Sequence, residues 1–358
     1  MSDIAIYWFR DDLRLNDLAG LAAAAERGPV VALYIWDEKV SEEWPIGSAS
    51  RWWLHKSLAA LETALNDQGV ALTLRSGNTA TVLAEVCRSV NASAVYCSRQ
   101  YQPWAGELEH TLRERLHQQH VELKRYPGTL LHEPEAVATG AGTPFKVFTP
   151  FWRACLRRPE PQMPLGTPTL SPCPTPVQSE PLSSWNLLPT QPNWAHGWED
   201  LWMPGEHGAH AALDLFLADH VIDYGEGRDT PSARSTSRLS PYLRFGNLSP
   251  RQVWHAAQAS KVFQPDASGA TDKFLSEIGW REFCYHLLFH FPTMPDEAFN
   301  PKFSYFPWGT DQQRLKAWQR GQTGYPIVDA GMRELWATGF MHNRVRMVVA
   351  SFLTKHLL

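Results

Sequence analysis

The 358-residue chain carries 33 Lys and Arg against 37 Asp and Glu, a formal net charge of −4, with 44% hydrophobic residues. These totals fit a globular chain of two domains and exclude a uniformly basic nucleic-acid binder; no apolar run reaches bilayer length. Five cysteines without a CxxC pair, and an N-terminus mixing acid and base, read as reduced thiols in a cytoplasmic protein with no signal peptide and no zinc site.

A six-residue apolar run over 4–9 predicts a strand buried on both faces. An alanine-rich helix over 18–27 follows, stopped by Gly28-Pro29. The alternation continues with strands over 30–36, 71–74, 94–97 and 121–125, separated by helices over 51–66, 79–89 and 104–119. Strands alternating with helices predict a doubly wound, five-stranded parallel sheet with right-handed crossovers. The turn after the first strand reads Arg10-Asp11-Asp12-Leu13-Arg14, so the GxGxxG dinucleotide fingerprint is absent and a nicotinamide dehydrogenase is disfavoured.

Eleven of the 27 prolines fall within residues 150–192, which predicts a connector without regular helix, packed over the surface. Beyond Glu206 the pattern turns helical, over 209–220, 249–260, 271–290, 311–320 and two helices in 324–355 that break at Gly339. The expected domains are therefore an α/β unit over 1–130, a connector over 131–205 and an all-α unit over 206–358. From Val221 onward 16 Lys and Arg face 12 Asp and Glu, so the second half carries the positive balance that suits a polyanionic partner.

Several groups carry chemistry in that half. Thr236-Ser237-Arg238-Leu239-Ser240-Pro241 follows a Gly/Asp/Arg-rich loop, and hydroxyls leading into a helix suit phosphate oxygens as well as a plain capped start. Glu277, Trp280 and Arg281 share one helix face. An aromatic wall would keep the proton on Glu277 and a guanidinium one turn away would oppose that. Asn343, Arg346 and Met347 fall on one face beside Val348, Val349 and Phe352. Charge so close to an apolar run needs a partner, either a polar ligand or a salt-bridge network with Asp329 and Arg333. Sixteen tryptophans fit large aromatic cores or stacking on a planar ligand. His286 and His290 lack a third ligand at useful spacing, so no metal is expected.

Four stretches together resemble the photolyase/cryptochrome family: residues 8–15 (WFRDDLRL), 236–241 (TSRLSP), 280–283 (WREF), and 324–333 (GYPIVDAGMR) with 341–347 (MHNRVRM). The similarity spans the chain in order. Asn343-Arg344 beside Met347, with Glu277 upstream, is similar to class I cyclobutane pyrimidine dimer photolyases. The resemblance implies an α/β antenna-binding domain and an all-α FAD-binding domain. It implies repair of damaged DNA, in which an electron passes from light-excited reduced FAD to a flipped-out pyrimidine dimer. The alternative it leaves is a cryptochrome-type photoreceptor without repair.

Carried over by position, Tyr224 and Thr236, Ser237, Arg238, Leu239 and Ser240 would hold FAD, and Phe274 stands where the family often has Trp. Arg281, Asn343 and Arg346 would face the flavin and, with Arg346 excepted, the lesion. Glu277 would hydrogen-bond the dimer bases, Trp280 would stack on them and Met347 would complete the pocket. Arg228 and Arg344 would reach flanking phosphates, and Trp308 matches the outermost tryptophan of the photoreduction relay. An antenna chromophore of folate or deazaflavin type is implied as a possibility of the family; Tyr101-Gln102-Pro103-Trp104 lacks the Asn-Glu pair of folate-type members. A monomer is expected. The chain ends in an apolar helix with no stop signal, whereas the family continues with further flavin-contacting residues and two inner relay tryptophans. It is therefore expected to be a C-terminally truncated photolyase with weak FAD retention.

Overall fold

A computed structural model describes residues 3–40 and 44–357. Five parallel strands stand in the order β3-β2-β1-β4-β5: β1 Ala5–Phe9, β2 Val30–Trp36, β3 Leu72–Ser76, β4 Ala94–Ser98 and β5 Glu122–Tyr126. Every residue of β1 and β4 is buried, as central strands covered on both faces must be. The crossovers are α1 Ala19–Arg27, α2 Ser48–Asn66, α3 Thr79–Val90 and α4 Pro103–His117. Asn78 caps α3 by accepting from the Thr81 N–H, and Asn91 ends it in the left-handed conformation. Strand order reverses beside β1, which lies between β2 and β4; in such sheets ligands bind at this switch point, beyond the carboxyl ends of the strands.

The proline-rich stretch differs from expectation at its start. Helix α5, Phe148–Leu156, includes Pro150 in its first turn, where the missing N–H has no intrahelical acceptor to lose. The remainder is largely extended, apart from a 3-10 turn over Leu182–Trp185, and runs past the β2 and β3 side of the sheet. Val30 donates to the Ser171 carbonyl, Glu180 to the Leu74 carbonyl, and Trp185 stacks on Trp36.

The helical part contains α6 Trp198–Leu201, α7 Glu206–Leu215, α8 Tyr224–Gly227, α9 Ser240–Arg244, α10 Pro250–Phe263, α11 Ser268–His290, α12 Gln312–Gln319, α13 Pro326–Thr338 and α14 Asn343–Phe352. Ser249 and Gln252 form a reciprocal capping box at the start of α10. Helices α13 and α14 make a hairpin with a small core of Val328, Met332, Met341, Val345 and Val349. Gly339 ends α13 at φ 70°, and a Cβ there would stand 2.7 Å from the Trp198 ring, so glycine is required twice over.

What binds the sheet to the helices is the turn after β1. Arg14 is fully buried and donates to the carbonyls of Asn16, Asp17, Gly128 and Gly246. Asp17, also fully buried, takes Arg251 at 2.6 Å and the Ser249 hydroxyl at 2.5 Å. Asp11 pairs with Arg244 at 2.7 Å, and Leu13 donates to the Phe245 carbonyl. Gly246, at φ 65°, lies so close to Asp11 that a Cβ would meet its carbonyl at 2.2 Å. The residues that failed the dinucleotide test therefore join the two layers.

Among the described residues, no helix is long and apolar enough to cross a membrane.

Candidate flavin and nucleic-acid site

Helix α11 is the element on which the site is built. It runs 23 residues, and its buried positions Phe274, Leu275, Ile278 and Phe283 anchor it in the main core. Glu277 and Arg281, half-buried, border a cavity of about 360 Å³ whose other walls include Tyr224, Ser237, Leu239, Ser240, Phe274 and Tyr285. Tyr224 meets Phe274 edge-on at 5.7 Å, making one apolar wall. Ser237 also borders a second cavity of about 660 Å³, with Thr236, Arg238, Trp202 and Phe340 on its walls. Two adjoining hollows of these sizes lie in the range of cofactor sites.

Arg238 gives this region its cationic character. Its guanidinium lies 4.3 Å from the Trp202 ring centre and 4.8 Å from that of Phe340. Its Nε is buried with no hydrogen-bond partner among the described residues, and burial holds its pKa below the usual arginine value. A hydrogen-bond acceptor is the partner such a donor lacks. Helix α9 has only five residues, so hydroxyls and Arg238, more than a helix dipole, supply the polar lining. An aromatic wall, a row of hydroxyls and a guanidinium with one N–H unpaired among the described residues, balanced in part by Glu334 on the same cavity wall, fit the ring and phosphates of a flavin dinucleotide.

Glu277 accepts from Arg228 Nη1 at 2.6 Å. Arg228 lies 3.7 Å from Asp229, which takes Arg344 at 2.7 Å through Nε and 2.5 Å through Nη2. Arg344 in turn donates to Met347 Sδ at 3.6 Å. One line of polar contacts thus runs from the cavity wall to the surface of α14. The guanidinium paired with Glu277 is that of Arg228. Arg281, expected in that part, donates instead to the Thr129 carbonyl at 2.7 Å and contacts the sheet side of the molecule.

Other expected residues lie apart from the cavity walls. Trp280 stacks on Phe148 at 3.7 Å, and with 44% of the residue exposed its other face is open. Asn343 opens α14 on the surface; Arg346 is exposed, its nearest acceptor the Met341 carbonyl at 3.5 Å; Met347 is 57% exposed. No described cavity is lined by Glu277, Trp280, Asn343 and Met347 together. The expectation that Asn343, Arg346 and Met347 press charge into an apolar core is corrected: Val345 and Val349 face that core, and the polar face is solvated. Asp329 is spoken for by the Thr323 and Gly324 N–H groups, with Arg333 exposed. Trp308 is 56% exposed and contacts Phe306. His286 accepts from the Phe145 N–H and His290 faces the Pro134 carbonyl, so both rings are engaged in packing.

A third cavity, about 380 Å³, opens at the switch point of the sheet among Trp8, Tyr34, Trp36, Trp44, Trp104 and Gln100. Arg244 borders both this cavity and the 360 Å³ one. Sequence reasoning named Gln102 and Trp104 for the antenna zone and Trp8 to Asp11 as a motif, but not Tyr34, Trp36 or Trp44 on the same walls. It also missed Asp229.

A flavin-type cavity in a helical layer, docked on a doubly wound sheet with a second aromatic hollow, defines a two-layer flavoprotein architecture. The comparisons give it a family. Residues 5–172 match the DNA photolyase family model and residues 274–358 match the FAD binding domain of DNA photolyase. The chain is 46% identical over 355 residues to a deoxyribodipyrimidine photo-lyase of Agrobacterium fabrum, covering 99% of this chain and 73% of that one. It is 35% identical to Cryptochrome-2 of Arabidopsis thaliana, spanning 60% of that relative. The crystal structure of a bacterial class III photolyase from Agrobacterium tumefaciens superposes with a TM-score of 0.95 at 46% identity, covering 100% of this chain and 74% of that chain. An archaeal photolyase from Sulfolobus tokodaii, solved with two FAD molecules, gives 0.82 at 25% identity, covering 99% and 75%. The chain belongs to the DNA photolyase/cryptochrome family and carries its FAD-binding domain. The class I assignment finds no support, since the 46%-identical solved relative is a class III photolyase.

Proposed function

We propose that this chain is a light-driven DNA repair enzyme that opens cyclobutane pyrimidine dimers. The observation that carries the reading is the polar line joining Glu277, on the wall of the flavin-sized cavity, to Arg228 and Arg344. It sets an acid on the cavity wall beside two cations that meet at Asp229, as an extruded base pair with flanking phosphates requires.

When bound, FAD supplies the light-absorbing, electron-donating chemistry of the reaction. The chain's own residues do the rest. Tyr224 and Phe274 close one side of the cavity, and Thr236, Ser237 and Ser240 offer hydroxyls with Arg238 as the cation. Glu277 exchanges hydrogen bonds with the dimer bases, and Arg228 orients its carboxyl. Trp280, backed by Phe148, offers its open face for stacking. Met347 adds an apolar edge, while Asn343 and Arg346 approach from the surface of α14. Arg281 borders the cavity and holds α11 to the sheet. Arg228 and Arg344 bind phosphate without regard to sequence. Trp308 is a surface station for electrons entering from solvent. The cavity at the sheet's switch point takes an antenna chromophore of folate or deazaflavin type.

The units 1–130, 131–205 and 206–358 are the division we propose, with the joint at residues 10–17. The working form is a cytoplasmic monomer acting on damaged DNA. The second reading, a photoreceptor without repair, draws on the 35% identity to a plant cryptochrome. Ultraviolet-irradiated oligothymidine, illuminated with blue light in the presence of reduced protein and FAD, separates the two. Repair restores base absorbance in light and not in darkness; no recovery in either condition sinks the repair reading.

A further inference from the structure

Both arginines assigned to DNA phosphates already hold carboxylates. Arg228 is buried and donates to Glu277 at 2.6 Å, while Arg344 grips one oxygen of Asp229 through Nε at 2.7 Å and Nη2 at 2.5 Å. Asp229 also stands 3.7 Å from Arg228 Nε, so it lies between the two cations. The cluster of Arg228, Glu277, Asp229 and Arg344 is formally neutral. The Nε–Nη2 edge of Arg344 that holds Asp229 is the edge an arginine offers to phosphate as well as to carboxylate. Asp229 is exposed and Arg344 partly so, so a phosphate approaching from solvent can reach the same edge.

We infer that Asp229 is a resident stand-in for a DNA phosphate: it occupies Arg344 in the free protein and must be displaced when nucleic acid binds. This deepens the repair reading and rests on it. An exposed ion pair is weak enough to exchange, and a phosphate in a polyanion, with released counterions, is the stronger competitor. The contact occupies Arg344 and lowers affinity for DNA of every kind. Because phosphate contacts carry no sequence or lesion information, the effect on damaged and undamaged DNA is the same factor.

The test is dark binding of labelled oligothymidine–oligoadenine duplex, irradiated or not, to the full chain across a salt series. The Asp229→Asn variant keeps size and polarity and removes the competing charge. It should bind both duplexes about two- to fivefold more tightly at low salt, with an unchanged ratio between them. The gain should shrink as salt rises, because Arg344 reaches the same phosphate in both proteins and the exposed pair removed by the substitution is itself screened. In an Arg344→Gln background the gain should vanish. Weaker binding by D229N would overturn the inference, since Asp229 would then be positioning Arg344 for DNA. A gain that persists without Arg344 would overturn it too, leaving only general electrostatics. If Arg344→Gln alone leaves binding and slope unchanged, or wild type does not bind, this face is not the DNA face. In that case the repair reading of the surface falls, and the inference with it.

Discussion

Substituting Asp17 by Ala tests whether buried charge holds the sheet to the helices. The Asp17 side chain is fully buried and that of Arg251 is 12% exposed. Arg251 approaches one carboxylate oxygen at 2.6 Å through Nη2 and the other at 3.1 Å through Nε. Ser249 donates to Asp17 at 2.5 Å, and the Leu165 N–H at 3.1 Å. The Asp17→Ala variant leaves a guanidinium, a hydroxyl and an N–H without their acceptor. Removing one partner of a buried pair costs about 3–5 kcal/mol, a large share of a total stability of about 5–15 kcal/mol. With a urea dependence of about 3 kcal/mol per M, the unfolding midpoint should fall by about 1 M or more. Asp17 sits at φ 55°, a conformation Asn tolerates, so Asp17→Asn separates charge from backbone. It keeps an acceptor for Ser249 and should lose less than the alanine variant. The assay is tryptophan fluorescence and circular dichroism in parallel, which reveals whether the layers unfold together. A loss below about 1 kcal/mol for Asp17→Ala would refute the reasoning and place the cohesion of the joint in its apolar contacts.

The remaining predictions concern the site and its supports. Glu277→Ala should slow repair at least tenfold while FAD affinity changes little; equal repair yield per photon would remove Glu277 from the mechanism. Burial pushes the Glu282 carboxyl up to about 7, against partial compensation from Arg281 and the His132 and Leu131 N–H groups. It holds His132, beside Arg158, and His286, beside His290, down at about 4. The Glu282 contribution is complete below the unfolded carboxylate range and is lost as pH rises to about 7. The two histidines contribute fully above about 6.5 and lose it as pH falls to about 4. Glu282→Gln removes the carboxyl whose titration opposes that of the histidines, so its stability should fall more steeply between pH 6.5 and 4 than that of wild type; urea midpoints across that range decide it. Gly339→Ala should cost about 1–3 kcal/mol, from its φ of 70° and the clash with Trp198, read as a lower thermal midpoint.

Local physics was enough for the elements of the sheet. Fully apolar runs such as β1 and β4 have one stable environment, a strand covered on both faces, and the alternation with amphipathic helices leaves little choice but a parallel order. The break at Gly339 was equally legible, because a glycine after a helical stripe ends it. Glu277, Arg281, Ser237 and Phe274 on one cavity were readable from motif and helical spacing combined.

Partnership was not readable, because a salt bridge depends on positions far apart in the chain. Glu277 chose Arg228, 49 residues away, over Arg281 one turn along the same helix. The reason is direction: Arg281 reaches toward the Thr129 carbonyl on the sheet side, while Arg228 enters from α8. The same holds for Asp229 and Arg344, 115 residues apart, and for Asp11, Arg14 and Asp17 in the turn at residues 10–17, which reach partners beyond residue 240. Composition along the chain set which segments would be strands and helices; only packing decided which charges would meet, since the cost of burying a charge is relieved by whichever opposite group the fold brings within about 3 Å.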